Sequence, residues 1–224
     1  MQAVAEAFDL PGPVLELGSL QVDHSELIDL RKLFPGREYT GVDFRPGPGV
    51  DCVADAEALP QATGSIGTVL SLSVFEHVKR FWVAFDEVHR VLRPDGVFVC
   101  AVPFHFHVHA YPSDYWRFTP EAVDLLMERY PTRLLGWHGA ARRMTCVWAV
   151  GFREEARLPT EAQLARYREL MAAYAKEPLK WGRRMRYKVG QVLCGRRPFA
   201  PYLDRENWTL EIRGHPLPGA GKIG

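Results

Sequence analysis

Residues 14–23 read VLELGSLQVD, and their reading decides the fold. A short apolar run ends in Glu16-Leu17-Gly18, the way a strand buried on both faces ends before a turn. Turns of this kind cradle cofactors at the carboxyl ends of parallel strands, and they usually carry a second glycine two positions on. Here that position is Leu20, so either the pocket is built without the glycine or there is no pocket.

Working outward, strands and helices alternate. Residues 23–34 place Leu27, Leu30 and Phe34 at helical spacing, and Pro35-Gly36 stops them. Residues 37–43 (REYTGVD) read as a strand and 51–55 (DCVAD) as a very short one, joined by the turn-rich RPGPG of 45–49. Residues 65–73 form the next strand. A helix over 78–92 puts Phe81, Phe85, Val88 and Leu92 on one face and stops at the Arg93-Pro94-Asp95-Gly96 turn. Another apolar strand spans 97–103. Thr119-Pro120-Glu121 predicts a helix start, with Thr119 as N-cap, running to about Tyr130. Residues 132–138 and 145–153 then form a hairpin joined by GAARRM. Strands separated by helices or loops predict an α/β, doubly wound sheet, to which the hairpin adds an antiparallel strand.

Composition agrees with a globular chain: 224 residues, 47% hydrophobic and 25% charged. A formal net charge of +1 gives no global field for nucleic acid. Cys52, Cys100, Cys146 and Cys194 are scattered without zinc spacing, and reduced thiols are expected. The first residues lack the basic and apolar regions of a signal peptide, and no stretch is long and apolar enough to span a bilayer. A cytoplasmic protein is expected.

In an open parallel sheet, ligands bind beyond the carboxyl ends of the strands. The acids fall there: Glu16 with Gly18, then Asp43, then Asp55. Asp43 lies near the interval at which a carboxylate accepts hydrogen bonds from a ribose diol, and Asp55-Ala56 could hold an adenine edge. Taken singly, Glu16 could cap a helix and Asp43 could serve a turn.

The blocks VLELGS, YTGVD, VADAEALP, SVFEHV and VLRPDGVFV occur in that order. With them the chain resembles the class I S-adenosylmethionine-dependent methyltransferases, especially small bacterial members of the methyltransferase 11 type, over about residues 13–153. The resemblance implies a Rossmann-like seven-stranded sheet, mostly parallel, whose last two strands form an antiparallel hairpin. It implies S-adenosyl-L-methionine as cofactor, with S-adenosyl-L-homocysteine as product. By resemblance Glu16 and Gly18 border the methionine portion, Asp43 binds the ribose and Phe44 packs on the adenine. Asp55 and Ala56 fix the adenine edge, and Leu72 and Ser73 line the methionine end. Leu20 departs from the pattern. The cofactor has no pyrophosphate for the turn to wrap, so the missing glycine damages a dinucleotide-binding reading more than this one.

The least ordinary stretch is PFHFHVHAYPSDYWRFTPEA (103–122), which follows the fifth strand and overhangs the place where a transferred methyl would point. Some bacterial members of the family have a similar YPxDYWRFTPE segment. Methyl transfer needs alignment, exclusion of water and, for an oxygen or nitrogen acceptor, a base. His107 and His109 are the candidate bases, with Asp114 as orienting partner. His105, Tyr111, Tyr115 and Arg117 are the candidate acceptor contacts. Arg117 alternatively pairs with Asp114 to hold the loop, and Trp116 and Phe118 read as core anchors. The acceptor expected is a small molecule, sugar-like or anionic, taking the methyl on oxygen or nitrogen. Two rival readings are a methyltransferase-like binding domain without turnover, and a metal-dependent enzyme using His105, His107 and His109.

Residues 1–153 are thus expected to form the methyltransferase-like domain, and 154–224 a helical, basic extension packed on it or lidding it. Residues 179–203 hold seven Lys or Arg and no Asp or Glu. Trp181, Met185, Val189, Val192 and Leu193 recur there at helical spacing. Such a helix over 180–197 either packs its apolar side on the domain or makes peripheral contact with an anionic membrane.

Overall fold

The apolar runs of the sequence become strands covered on both faces. In the computed structural model the described residues are 1–21, 29–109, 112–141, 144–175, 181–182, 185, 189 and 207–215. They build one sheet from β1 (Val14–Leu17), β2 (Tyr39–Asp43), β3 (Cys52–Val53), β4 (Ile66–Leu72), β5 (Leu92–Pro103), β6 (Thr132–His138), β7 (Cys146–Phe152) and β8 (Trp208–Gly214). The order is β3-β2-β1-β4-β5-β7-β6-β8. β1 to β5 pair in parallel, whereas β7 runs antiparallel to β5 and β6. The sheet therefore grows both ways from the β1–β4 pair. That reversal opens a crevice at the carboxyl ends of these two strands.

Alternate side chains feed two cores. Leu15, Leu17, Phe98, Cys100, Val102, Leu135 and Val147 point to the face covered by α2 (Phe81–Val91) and α3 (Pro120–Leu126). Val14, Leu70, Val97, Val99, Leu134 and Val150 point to the opposite face. That face is covered by α1 (Gln2–Ala7) and α4 (Glu161–Ala175). Phe8 meets Phe152 edge-on at 6.3 Å and Tyr167 at 5.1 Å, and the buried Trp148 indole donates to the Tyr167 hydroxyl at 3.0 Å. Cys100 is a fully buried core thiol, pushed up to about 12 by burial, and Cys52 is half-buried against the same core. The described cysteines are free thiols, and Cys194 lies outside the described residues.

The elements depart from expectation at four places. The sheet carries an eighth strand: β8, in the segment expected to be helical, pairs antiparallel with all of β6. The Arg93–Gly96 turn is absorbed into β5 as a bulge, since Ile66 pairs with Leu92 and Thr68 with Val97. Arg93 closes that bulge on Asp95 at 2.5 Å and donates to the Gly12 carbonyl at 3.1 Å. α3 ends at Leu126, short of Tyr130, and residues 127–129 continue as turns toward Pro131. Thr119 does cap α3, accepting from the Ala122 N–H at 3.1 Å. Of the helix expected over 23–34, a 3-10 turn at Leu30–Leu33 is described, and its earlier part lies outside the described residues.

Most of the basic helix expected over 180–197 also lies outside them. Its Trp181, Met185 and Val189 are helical and exposed. Among the described residues no helix is long and apolar enough to cross a membrane.

Candidate functional site

A cavity of about 880 Å³ occupies the crevice at the carboxyl ends of β1 to β4, within the range usual for small-molecule sites. Its floor is the turn after β1. Gly18 stands at φ +75°, and a Cβ there would lie 2.3 Å from Val74 Cγ2, so the position needs glycine twice over. The turn is tied to β2 by the N–H groups of Gly18 and Ser19, which donate to the Val42 carbonyl at 2.8 and 3.1 Å. Ser73, after β4, also has left-handed backbone, at φ 57°, and with Leu72 it lines the cavity.

Leu20 lines the cavity without filling it. Its Cδ1 occupies the space where a Cβ on Gly47 would stand, 2.3 Å from that position. The glycine absent from the turn is thus matched by one in the RPGPG link after β2, which makes room for the leucine.

The three strand-end acids stand on the cavity wall. Glu16 accepts the Tyr39 hydroxyl at 2.7 Å, and burial raises its pKa above the usual carboxylate value while that hydrogen bond opposes the rise. Asp43, at the tip of β2, accepts the Arg45 N–H at 2.9 Å. The exposed Asp55 accepts the Glu57 N–H at 2.9 Å, which fixes the turn that presents Ala56. Phe44 is 56% exposed beside Asp43, with the Arg45 guanidinium 5.8 Å from its ring centre.

Every residue expected to hold the cofactor therefore faces one cavity: Glu16, Gly18, Asp43, Phe44, Asp55, Ala56, Leu72 and Ser73. The fit to an adenosine-bearing ligand is good. Carboxylates at successive strand tips suit hydroxyl and amino donors, an exposed aromatic suits a base, and the glycine turn admits close approach. Arg31 was not read from the sequence; it lines the cavity and pairs with Asp51 at 2.6 Å.

The segment after β5 folds over the other end. It is pinned at Tyr115 and Trp116, whose N–H groups donate to the Glu76 carbonyl at 2.8 and 3.3 Å. The Trp116 indole donates to the Val78 carbonyl at 3.1 Å. Phe118 is buried against Phe81, whereas Trp116, expected as a core anchor, is 37% exposed at the rim of that packing. Asp114 is the hub. Its side chain is 2% exposed, pairs through both oxygens with Arg117, and accepts the His109 N–H at 2.9 Å with His109 Nδ1 at 3.0 Å. The Arg117 guanidinium holds the Asp114 carboxyl well below the usual range.

His109 and Tyr115 line the cavity, while His105 and His107 are exposed beyond it. The alternating histidines do not share one face. His107 and His109 pack at 5.9 Å, but His105 lies against Phe104, where its N–H extends the pairing with Met144. Tyr111 lies outside the described residues.

Sequence reasoning gave no role to Glu76 or His77. Glu76 is fully buried, neither carboxylate oxygen has a hydrogen-bond partner among the described residues, and burial pushes it up to about 7. His77 lines the cavity, its ring edge-on to His109 at 4.8 Å and its Nδ1 2.6 Å from the Ser113 carbonyl. In the sequence the pair is marked only by the resemblance of Glu76-His77-Val78, in SVFEHV, to the family's EHV block.

Residues 15–100 match the family model described as a methyltransferase domain. No curated protein matches the sequence. Among solved structures, the chain is similar to the Burkholderia thailandensis 1,6-didemethyltoxoflavin-N1-methyltransferase, solved with 1,6-didemethyltoxoflavin and S-adenosylhomocysteine. The two are 16% identical with a TM-score of 0.49, over 63% of this chain and 71% of that one. It is similar to a Thermotoga maritima protein described as a possible histamine N-methyltransferase (14%, TM-score 0.48, 68% and 88%). It is also similar to the [4+2]-cyclase SpnF (13%, TM-score 0.48, 67% and 79%). The activities of those proteins are their own. The matched residues, 15–100, carry the glycine turn and the strand-end acids, and over them the chain is similar to the methyltransferase domain.

Proposed function

We propose that this protein transfers the methyl group of S-adenosyl-L-methionine to an oxygen or nitrogen of a small, sugar-like or anionic acceptor. The observation that carries the reading is the convergence of Glu16, Asp43 and Asp55 with the Gly18 turn around one cavity. Asp43 accepts from the ribose hydroxyls, Phe44 packs on the adenine, and Asp55 with Ala56 reads its edge. Glu16, Gly18, Leu72 and Ser73 hold the methionine end.

The bound cofactor supplies a methyl carbon already activated by its sulfonium charge. The chain's task is to place the acceptor in line, exclude water and take one proton. His109 takes that proton, because Asp114 holds the ring by Nδ1 and stabilises the imidazolium that forms. Arg117 fixes Asp114 and so positions His109. Tyr115 bounds the acceptor space. His105 and His107, on the same segment, stand outside the cavity and meet only an acceptor that extends beyond it.

Titration of the full chain with S-adenosylhomocysteine by calorimetry tests the cofactor site. Asp43→Ala is expected to weaken binding by about tenfold or more, as a charge-assisted hydrogen bond contributes roughly 1.5–3 kcal/mol. No heat of binding in the unsubstituted protein would overturn the reading. A screen of hydroxyl- and amine-bearing acceptors then identifies the substrate class.

A further inference from the structure

At the acceptor end of the same cavity lies one cluster that the cofactor contacts do not use. The Glu76 carboxylate and one ring nitrogen each of His77 and His109 lie within 4.8 Å of one another. They come from two separate segments, the turn after β4 and the segment after β5. The second segment is held down on the first by the Tyr115 and Trp116 hydrogen bonds to the Glu76 carbonyl.

We propose that Glu76, His77 and His109 form a binding site for a divalent transition-metal ion of the zinc class, at the acceptor end of the cavity. Two imidazoles and one carboxylate are the donor set of open zinc and related sites, which keep a further position for a substrate oxygen. Glu76 is the second, independent observation. A fully buried carboxylate whose oxygens have no hydrogen-bond partner among the described residues is costly, and a cation between it and the two rings removes that cost.

The surroundings are those of a metal site. His77 Nδ1 engages the Ser113 carbonyl at 2.6 Å, and His109 Nδ1 engages the Asp114 carboxylate at 3.0 Å. Both contacts put the proton on Nδ1 and the lone pair on Nε2, the tautomer that ligates, and they fix each ring as outer partners of metal-bound histidines do. His77 Nε2 already lies 3.8 Å from Glu76 Oε1. Closing the three donors onto bonds of about 2.0–2.2 Å needs side-chain adjustment and no change of fold. Arg117 is paired with Asp114, and the two act on Glu76 in opposite directions. This donor set shares only His109 with the HxHxH set read from the sequence; His105 and His107 stand away from it.

Ion binding does not depend on the methyltransferase reading, but it deepens it. A hydroxyl bound to the ion loses its proton to water at lower pH than a free one, and His109 then acts as ligand, serving as base only in the metal-free protein.

The test uses the full chain, stripped with chelator, re-equilibrated with micromolar Zn²⁺ or Co²⁺ and freed of excess metal. One ion retained per chain is expected, with Co²⁺ absorption in the visible range reporting nitrogen and oxygen ligation in the unsubstituted protein. His77→Ala and Glu76→Gln should each weaken Zn²⁺ binding by at least about a hundredfold, with unchanged circular dichroism, and His105→Ala should leave it intact. Failure of the unsubstituted protein to retain either ion would overturn the site. So would equal affinity in His77→Ala, or loss caused by His105→Ala. S-adenosylhomocysteine titration of the same samples separates the two readings. An ion held without cofactor binding supports this site and removes the methyltransferase; cofactor bound without an ion does the reverse.

Discussion

Gly18 is the sharpest place to test the geometry of the site, because the structure separates two reasons for its being glycine. Its backbone stands at φ +75°, which costs an L-residue about 1–2 kcal/mol. Independently, a Cβ would sit 2.3 Å from Val74 Cγ2, against an ordinary carbon–carbon contact of about 3.5–4.0 Å, and overpacking of this kind costs about 1–3 kcal/mol. Gly18→Ala should therefore lose about 2–5 kcal/mol in denaturant titration. Val74→Ala removes the offending methyl and leaves the Val74 Cβ at 3.5 Å, an ordinary distance. In that background Gly18→Ala should cost only the backbone part, so the cycle should show a coupling of about 1–3 kcal/mol. Equal cost in both backgrounds would refute the packing argument, and a single-mutant cost near zero would refute both. S-adenosylhomocysteine affinity, measured alongside, should fall in Gly18→Ala and recover only in part in the double variant.

Three further outcomes are expected. Glu16 has a folded-state pKa above its unfolded value, so its contribution to stability is greatest below the unfolded value and is lost as pH rises through the folded one. The Tyr39 hydroxyl relieves this by bonding the charged form, so Tyr39→Phe should cost about 1–3 kcal/mol at neutral pH and less near pH 4 in urea melts. A pH-independent loss would contradict the assignment. Arg117→Ala leaves Asp114 as a buried charge without its main partner and should destabilise by about 3–5 kcal/mol, with Arg117→Lys intermediate, as read by thermal unfolding. Tyr167→Phe removes the acceptor for the buried Trp148 indole and should cost about 1–3 kcal/mol without changing S-adenosylhomocysteine affinity in calorimetry.

The sheet was legible where strands are buried on both faces, because such strands read as unbroken apolar runs, as in VFVCAVP and TCVWAVGFR. β8 escaped notice because an edge strand alternates: Trp208, Leu210 and Ile212 interleave with polar residues inside a stretch dominated by charge. α1 was too short and too rich in alanine to show a period. At the site, the strand-end acids were readable because topology puts strand ends in one place. The histidines were not, since a strand's alternation was assumed for residues that leave the sheet after His105. That Glu76 and His77 meet His109 depends on a contact between distant segments, which no local pattern announces.

The pairing of β8 with β6 fixes where the chain returns to the sheet after α4. The continuously described chain leaves off at Ala175, the end of α4 on one face of the sheet, and resumes before Trp208, the start of β8 on the sheet's edge. β8 thus closes the edge beyond β6, and only β7 separates β6 from the strand leading into the histidine segment.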